Sequence, residues 1–218
     1  KSTFNNSAST ATLKIINCVI QNMSSSNYEG PVNLTDGKTT LKDTDVSNCT
    51  SKAQGYNTNR GGIVSANGAN VKLSIEGGTI SGNCNAKTHD QYSIDVPIHL
   101  KNGAQVTVSG TTISNNTGGY GGAFLVEANC NLEIFDATIE NNKAMFWGGV
   151  LYAMGNNVIK IHGGTYRNNS AVKSGSIAGM RQNVSLYIDG GVFENNTIGT
   201  GGSAANVGAI ECNKNTSR

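Results

Sequence analysis

The stretch ATIENNKAMFWGGVLY, Ala137–Tyr152, decides the fold because its pattern returns at a fixed step. Twenty-seven residues later the chain reads GTYRNNSAVKSGSIAG (Gly164–Gly179), and 27 after that it reads GVFENNTIGTGGSAAN (Gly191–Asn206). Most letters differ, but an apolar residue followed by paired Asn returns each time. A period in this range is typical of solenoids, whose stacked copies bury a core that one copy cannot bury alone.

An apolar anchor residue, usually with Asn two and three places after it, recurs along the whole chain at spacings of 26, 34, 33, 26, 27 and 27 residues. An alternating pair begins seven residues before each anchor, and alternation with period two predicts a strand with one buried face. The anchors are Ile20, Val46, Ile80, Ile113, Ile139, Tyr166 and Phe193. The pairs are Leu13 and Ile15, Thr39 and Leu41, Leu73 and Ile75, Val106 and Val108, Leu132 and Ile134, Ile159 and Ile161, and Leu186 and Ile188.

A third apolar stretch lies further upstream in each copy, separated from the pair by turn dipeptides such as Asn67-Gly68 and Asn102-Gly103. No segment has a helical period. We therefore predict an all-β chain: a right-handed, single-stranded parallel β-helix of about seven to eight coils. Each coil has about 27 residues and three short strands. The β-helix forms one domain, 1–218, with lateral insertions at 50–60 and 84–95, where the spacing lengthens.

The second Asn of the repeated pair predicts a ladder at one corner of the coils. We expect each side-chain amide to donate to the copy above and accept from the copy below, and each backbone to be left-handed there. The ladder residues are Asn83, Asn116, Asn142, Asn169 and Asn196. The glycine pairs Gly121-Gly122 and Gly148-Gly149 are expected to provide positive φ or close packing.

Composition excludes several functional classes. Only 14% of residues are charged and the net charge is +2, so no nucleic-acid footprint is visible. There is no apolar run long enough to span a membrane. Residue 1 is Lys and no signal peptide precedes it, which predicts a mature protein or a piece of a longer one.

The five cysteines lack the C-x-x-C spacing of a metal site. Cys49 occupies a ladder position and Cys84 lies one place past it in the next coil, which brings the two within disulfide range. A Cys49–Cys84 disulfide and two separate thiols both remain open. The odd total leaves at least one thiol free, buried or joined to another chain. Cys18 and Cys130 are expected to be small buried hydrophobes.

The two longer spacings place the insertions Thr50–Arg60 and Cys84–Asp95 in successive coils, so we expect one lateral bulge. It carries Tyr56, Arg60, His89, Asp90 and Tyr92. Insertions on one face of a solenoid often form its binding surface, although tolerated surface loops have the same pattern.

Nine Asn-x-Ser/Thr sequons occur among 30 Asn residues. Five share the position just before the ladder: Asn22, Asn48, Asn115, Asn168 and Asn195. Either they carry N-linked glycans in a column along one edge, or they are by-products of the ladder motif.

The best column for enzyme chemistry is Glu140, Arg167 and Glu194, with His162 over Asp189 beside it. Such groups serve polysaccharide lyases and hydrolases, but they equally form exposed ion pairs of about 0–1 kcal/mol each. The charges are sparse and no aromatic platform for sugars is visible. We therefore predict no catalytic residues, no metal ligands and no cofactor.

The sequences Gly121-Gly122-Ala123-Phe124, Gly148-Gly149-Val150-Leu151 and Phe193-Glu194-Asn195-Asn196 resemble the Gly-Gly-apolar and Phe-x-x-Asn repeats of the polymorphic membrane protein and autotransporter-adhesin group. The later coils are the most similar. The chain departs from that pattern in having Ile or Tyr at most Phe positions, and Ser176 and Ser203 for the second glycine. The resemblance implies a secreted, surface-exposed rod that serves adhesion or acts as a stalk, and it implies no catalytic residues.

These observations together predict a non-enzymatic extracellular or cell-surface rod with a structural or adhesive role. Open strand edges at the ends of a β-helix favour head-to-tail stacking into a filament or continuation into further coils of a longer chain. The alternative is a carbohydrate-active β-helix enzyme, which would need an acidic groove with bound metal or sugar.

Overall fold

The computed structural model describes residues 4–25, 29–51, 61–84, 95–199 and 208–213. Within these ranges every regular element is a β-strand, so no helix long and apolar enough to cross a membrane is present there. The strands in chain order are β1 (Phe4–Asn6), β2 (Thr12–Ile16), β3 (Val19–Gln21), β4 (Glu29–Leu34), β5 (Lys38–Lys42), β6 (Asp45–Ser47), β7 (Gly61–Asn67), β8 (Lys72–Glu76), β9 (Thr79–Ser81), β10 (Asp95–Lys101), β11 (Gln105–Ser109), β12 (Thr112–Ser114), β13 (Thr117–Gly118), β14 (Phe124–Glu127), β15 (Asn131–Phe135), β16 (Thr138–Glu140), β17 (Lys143–Ala144), β18 (Leu151–Met154), β19 (Val158–His162), β20 (Thr165–Arg167), β21 (Ser170–Ala171), β22 (Ala178–Arg181), β23 (Ser185–Ile188), β24 (Val192–Glu194), β25 (Thr197–Ile198) and β26 (Ile210–Asn213).

The strands form parallel sheets in which each strand pairs with its counterparts one coil earlier and one coil later. Sheet A has the order β1-β4-β7-β10-β14-β18-β22-β26. Sheet B has the order β2-β5-β8-β11-β15-β19-β23, and sheet C has β3-β6-β9-β12-β16-β20-β24. The chain passes from A to B to C and then returns to A one level higher, which is the path of a parallel β-helix and confirms the predicted fold.

The number of strands per coil differs from the prediction in the second half of the rod. A fourth sheet, sheet D, contains the two-residue strands β13, β17, β21 and β25. The fourth to seventh coils therefore have four strands each, whereas the first three have the predicted three among the described residues. Short strands with one inward residue, such as Ala144 and Ala171, carry too little periodicity to be visible in a sequence.

The register follows the sequence anchors from coil to coil. In sheet C, Ile20 pairs with Val46, Val46 with Ile80, and the column continues without a break to Phe193. In sheet B the alternating pairs stack in the same way from Leu13 to Leu186. Because a shift of one residue would turn every inward side chain outward, the buried face fixes this register.

The inward side chains of sheets A, B and C meet in one continuous apolar core along the axis of the rod. Ile113, Ile139 and Tyr166 in the anchor column are fully buried, and so are Phe124 and Leu100 from sheet A. Each coil contributes only a few of these residues. A single coil could not bury them, so the core exists only in the stack.

The asparagine ladder lies at the corner that follows sheet C. The Nδ2 of Asn142 donates to Oδ1 of Asn169 at 3.0 Å, and the backbone N–H of Asn142 donates to the same oxygen at 3.0 Å. The second proton of Asn142 Nδ2 goes to the carbonyl of Ile113 at 2.9 Å. The same set of bonds joins Asn83 to Asn116, Asn116 to Asn142, and Asn169 to Asn196.

The left-handed backbone belongs to the residue before the ladder position, which corrects our expectation that the ladder residue itself bends the chain. Asn115, Asn141, Asn168 and Asn195 have φ between 54° and 56°, and Gly82 has the same role in the third coil with φ 62°. The ladder residues are absent from the set with positive φ. The paired Asn therefore divides two tasks, because the first residue turns the chain and the second bonds the coils together.

The glycine pair before sheet A also divides two tasks. Gly148 has φ 76°, and Gly149 is so close to the next coil that an added Cβ would lie 2.2 Å from the Ser176 carbonyl oxygen. The first glycine supplies a conformation that other residues strain to adopt, and the second allows close backbone approach.

The two insertions fall largely outside the described residues, and so do Tyr56, Arg60, His89, Asp90 and Tyr92 of the predicted bulge. The ends of the insertions are described and lie close together. The Ser51 hydroxyl donates to Oδ1 of Asp95 at 2.8 Å, and the backbone N–H of Cys84 donates to the carbonyl of Cys49 at 2.9 Å.

Replacement of Asn169 by Leu should lower the free energy of unfolding by about 1–3 kcal/mol, because it leaves two donors of Asn142 buried without their acceptor and removes one hydrogen bond from the Ile139 carbonyl. The matched control is Asn168→Gly, at the exposed neighbouring position with φ 54°. Glycine adopts that conformation freely, so this control should change stability by less than about 1 kcal/mol. Equilibrium urea unfolding of the two variants provides the comparison. Equal losses of unfolding free energy would contradict the assignment of the turn to the first Asn and of the bonds between coils to the second.

Candidate functional site

The outer face of sheet B carries a groove between two columns of side chains. One column contains Lys38, Lys72, Gln105, Asn131 and Val158, and the other contains Thr40, Ser74, Thr107, Glu133 and Lys160. Each residue is the register partner of the next in its column. Because positions i and i+2 of a strand face the same side, the two columns form parallel walls. We call this feature the sheet B groove.

The sheet B groove consists of two joined depressions. One has a volume of about 260 Å³ and extends from Lys38 to Thr107, and the other has about 290 Å³ and extends from Gln105 to Lys160. Gln105 and Thr107 line both, so the groove is continuous across five coils. With about 4.8 Å between neighbouring parallel strands, it runs roughly 19 Å along the rod axis.

The charges of the groove are distributed unevenly. At its C-terminal end Lys160 Nζ lies 2.7 Å from Glu133 Oε1, and this hydrogen bond raises the pKa of Lys160. At its N-terminal end Lys38 and Lys72 are exposed register partners. None of the ion pairs between described residues includes either lysine.

A second cluster lies outside sheet A, where four aromatic side chains from three coils meet. The ring of Tyr120 stacks on the rings of Trp147 and Phe146, with 5.3 Å and 5.0 Å between the ring centres. The ring centre of Tyr152 lies 5.0 Å from that of Tyr120. These rings, with Leu125, form an apolar cluster separate from the main core. We call it the aromatic cluster.

Two cations cover the aromatic cluster. Lys173 Nζ lies 5.0 Å from the centre of the indole ring of Trp147, and Arg181 Cζ lies 4.7 Å from it. Gly179 leaves the space for this indole, because a Cβ there would lie 3.1 Å from the Trp147 Cβ. The cluster therefore combines a half-buried tryptophan with two positive charges.

The spacing of residues in the sequence contains a signal for the aromatic cluster and for the sheet B groove, although the overall composition does not. Tyr120 and Trp147 are 27 residues apart, and so are Phe146 and Lys173. Backbone hydrogen bonds confirm that these positions stack, since Phe146 N–H donates to Gly119 and Lys173 N–H donates to Phe146. Aligning the outward residues by the period of the repeat, rather than reading them along the chain, would find both the cluster and the groove walls.

All five cysteines are free thiols in the structure, so no Cys49–Cys84 disulfide is formed there. Cys49, Cys84 and Cys130 are buried, as expected for Cys130, but Cys18 is exposed, which corrects its assignment to the core. Cys18 follows the left-handed Asn17 at the corner between β2 and β3, and its side chain points outward.

Burial controls the ionisation of the inner thiols. It raises the pKa of Cys49, and it raises that of Cys84 well above its usual range, with Asp95 adding to the effect. Burial also raises the pKa of Cys130 to about 11 from 9.0. The folded state thus holds this proton more tightly than the unfolded state does. The corresponding stability is complete below pH 9 and is lost as the pH rises through 11.

The column of sequons is exposed along its whole length. Asn22, Asn48, Asn115, Asn168 and Asn195 all occupy the left-handed corner position, with φ between 51° and 56°. A protruding corner presents the side-chain amide to solvent, so the column is sterically open to modification.

The acid–base columns form one ion pair and one hydrogen-bonded pair on the surface. Arg167 Nε lies 2.6 Å from Glu140 Oε2, and His162 Nδ1 lies 2.7 Å from Asp189 Oδ2. Glu194 is in register beside Arg167 and exposed. The described residues include no group of three or more potential metal ligands. Of the five side chains in these columns, four are therefore paired with one another and Glu194 lies beside Arg167.

Comparison with known proteins adds no assignment: no protein-family model, no curated protein and no solved structure matches the chain.

Native alkylation should separate the cysteines into two groups. With iodoacetamide at pH 8, Cys18 and Cys212 should react, whereas Cys49, Cys84 and Cys130 should be protected because burial excludes the reagent and keeps them protonated. Mass spectrometry of a digest identifies the sites. Unfolding without reductant then tests the disulfide, because the absence of Cys49 and Cys84 from the alkylated set would show a bridge.

The single tryptophan reports on the aromatic cluster by its fluorescence. At constant ionic strength, iodide should quench Trp147 roughly two- to fivefold more strongly than caesium, because Lys173 and Arg181 attract the anion. In the double variant Lys173→Gln, Arg181→Gln the ratio of the iodide quenching constant to the caesium quenching constant should fall toward the ratio found for free tryptophan. Equal quenching ratios in parent and variant would show that the cations do not lie against the indole.

Proposed function

We propose that the chain is a segment of a non-enzymatic extracellular rod with a structural or adhesive role. The observation that carries this proposal is the exposed apolar surface at the top of the last coil whose four strands are all among the described residues. Ile188 and Phe193 are 39% and 38% exposed, whereas their counterparts one coil earlier, Ile161 and Tyr166, are fully buried.

The exposed residues of the last coil occupy the same inward-facing register positions as the residues that are buried one coil earlier. The ring of Phe193 stacks on that of Tyr166, in the coil before it, with 4.6 Å between the ring centres. Ile210 of β26 is 42% exposed at the same end of sheet A. Another coil, from a second copy or from a longer chain, would bury this surface in the way that each coil buries the one before it. The contact is head to tail, because the top of one rod meets the base of the next.

The ladder supports the same arrangement. Below the last coil, every ladder residue gives its backbone N–H and one Nδ2 proton to the Asn above it. Asn196 accepts from Asn169 and donates to the Tyr166 carbonyl at 2.7 Å. An Oδ1 from another coil would complete its hydrogen bonds, so the interface is specific as well as apolar.

The adhesive role and the location rest on the resemblance to polymorphic membrane protein and autotransporter-adhesin repeats. The exposed column of sequons fits an extracellular rod that carries glycans. The alternative, a carbohydrate-active enzyme, needs two carboxylates flanking the bond that breaks. Among the residues that line the sheet B groove, Glu133 is the one carboxylate, and Lys160 neutralises it.

Sedimentation velocity over a range of concentrations, with electron microscopy of the same samples, tests the assembly. The parent should form end-to-end rods as its concentration rises. The double variant Ile188→Asp, Phe193→Asp should remain monomeric, because charge on the open coil opposes its burial.

The matched control is Tyr187→Asp, Val192→Asp, which adds the same charge at exposed, outward-facing positions of the same last coil. It should assemble like the parent. Monomers of the parent at every concentration, or assembly that both double variants abolish equally, would contradict stacking through the last coil.

A further inference from the structure

The sheet B groove has the shape of a site for an extended polymer. It crosses five coils parallel to the rod axis, and its two depressions share the lining residues Gln105 and Thr107. A compact ligand would occupy one depression and leave the other open. A linear chain would contact every coil in turn, because the groove repeats the same pair of wall positions at each step of the sheet.

The walls of the groove present hydroxyl and amide groups at its centre. Thr40, Ser74 and Thr107 supply three hydroxyls from successive coils, and Gln105 and Asn131 supply two amides. Each of these groups can both donate and accept hydrogen bonds. A ladder of such groups fits a partner with many hydroxyls of its own, whereas the two wall columns contain a single aliphatic side chain, Val158, for an apolar chain.

The charge at the N-terminal end of the groove selects an anion. Lys38 and Lys72 are neighbours in register and both are exposed, and like charges side by side in a sheet are unfavourable. Glu76, just outside the groove, accepts a hydrogen bond from the Ser74 hydroxyl at 2.8 Å rather than pairing with either lysine. A carboxylate on the ligand would relieve the repulsion between the two cations.

From these observations we propose that the sheet B groove binds a linear acidic polysaccharide, with its uronate carboxylates at Lys38 and Lys72 and its hydroxyl groups along Thr40, Ser74, Thr107, Gln105 and Asn131. The lining residues include no aromatic side chain on which a nucleic-acid base could stack. The inference rests on the proposed adhesive role, for which it names the ligand: the rod holds the polymer and does not cleave it.

Isothermal titration calorimetry with an oligogalacturonate of about six to eight sugars tests the site, since a chain of that length covers the roughly 19 Å groove. The parent should bind it. Its affinity for a neutral cello-oligosaccharide of the same length should be lower by about tenfold or by a larger factor. The affinity for the oligogalacturonate should fall as salt rises, because the lysines are exposed.

The double variant Lys38→Gln, Lys72→Gln should lose about tenfold in affinity for the oligogalacturonate. The control Lys143→Gln, Arg167→Gln removes the same charge from exposed positions outside the groove and should bind like the parent. Thr107→Val, which removes a hydroxyl shared by both depressions while keeping the shape, should bind several-fold more weakly.

Absence of binding to the oligogalacturonate, equal binding by the two lysine double variants, or tighter binding of a single-stranded oligonucleotide would each overturn the proposal. Sedimentation of the same samples keeps the two hypotheses apart. Assembly without binding would refute the groove and leave the rod. Release of new reducing ends during the titration would refute the non-enzymatic role while showing that the groove is occupied.

Discussion

The bond between one asparagine amide and the next is the interaction on which the rest of this structure depends. At the corner after sheet C the chain must turn sharply, and its backbone groups there face a closed interior instead of a neighbouring strand. In the middle of the ladder each Oδ1 accepts two hydrogen bonds and each Nδ2 donates two, so no polar atom of the amide is wasted. Because a buried polar group without a partner is costly, few residues other than Asn can replace a ladder residue in the middle of the stack.

That constraint explains where the sequence is free and where it is fixed. The inward residues need only be apolar and of suitable size, which is why Ile139, Tyr166 and Phe193 follow one another in one column. The corner residue needs a left-handed backbone, which Asn or Gly provides. The outward residues are subject to none of these constraints. They are therefore the positions at which the chain could acquire the groove and the aromatic cluster without loss of the stack.

The sequence alone predicts the stack because its period is long and regular. The anchors, the alternating pairs and the ladder residues all occupy the positions that the 27-residue spacing assigns, and the two longer spacings mark the insertions. The strands of sheet D are beyond sequence reasoning, since two residues such as Lys143 and Ala144 have no period to detect. The assignment of left-handed backbone to the ladder residue is wrong for a related reason: two adjacent Asn are equivalent in composition and differ only in φ.

The outer surface is harder to predict than the core because it combines residues that are distant in sequence. Lys38 and Lys72 are 34 positions apart, and one of the long insertions lies between them, yet they stand side by side in the groove. Trp147 receives its cations from Lys173 and Arg181 of the next coil. Within any one segment of the sequence these charged and aromatic residues appear isolated. The chemistry becomes visible only when outward residues are compared by coil.

The hydrogen bonds from one ladder Asn to the next all run in one direction, and this makes the rod electrically polar. From Asn83 to Asn169, every side-chain amide donates one Nδ2 proton to the Oδ1 of the next coil, so that each accepting oxygen points toward the N-terminal face. The second Nδ2 proton of each amide goes back to a backbone carbonyl of the preceding coil. The amide dipoles therefore add along the axis, much as peptide dipoles add along an α-helix, with the positive pole at the C-terminal face. Chains of aligned hydrogen bonds also polarise one another, so each added coil strengthens the field. Two rods that approached with the same pole would repel, whereas opposite poles attract before any side chains touch.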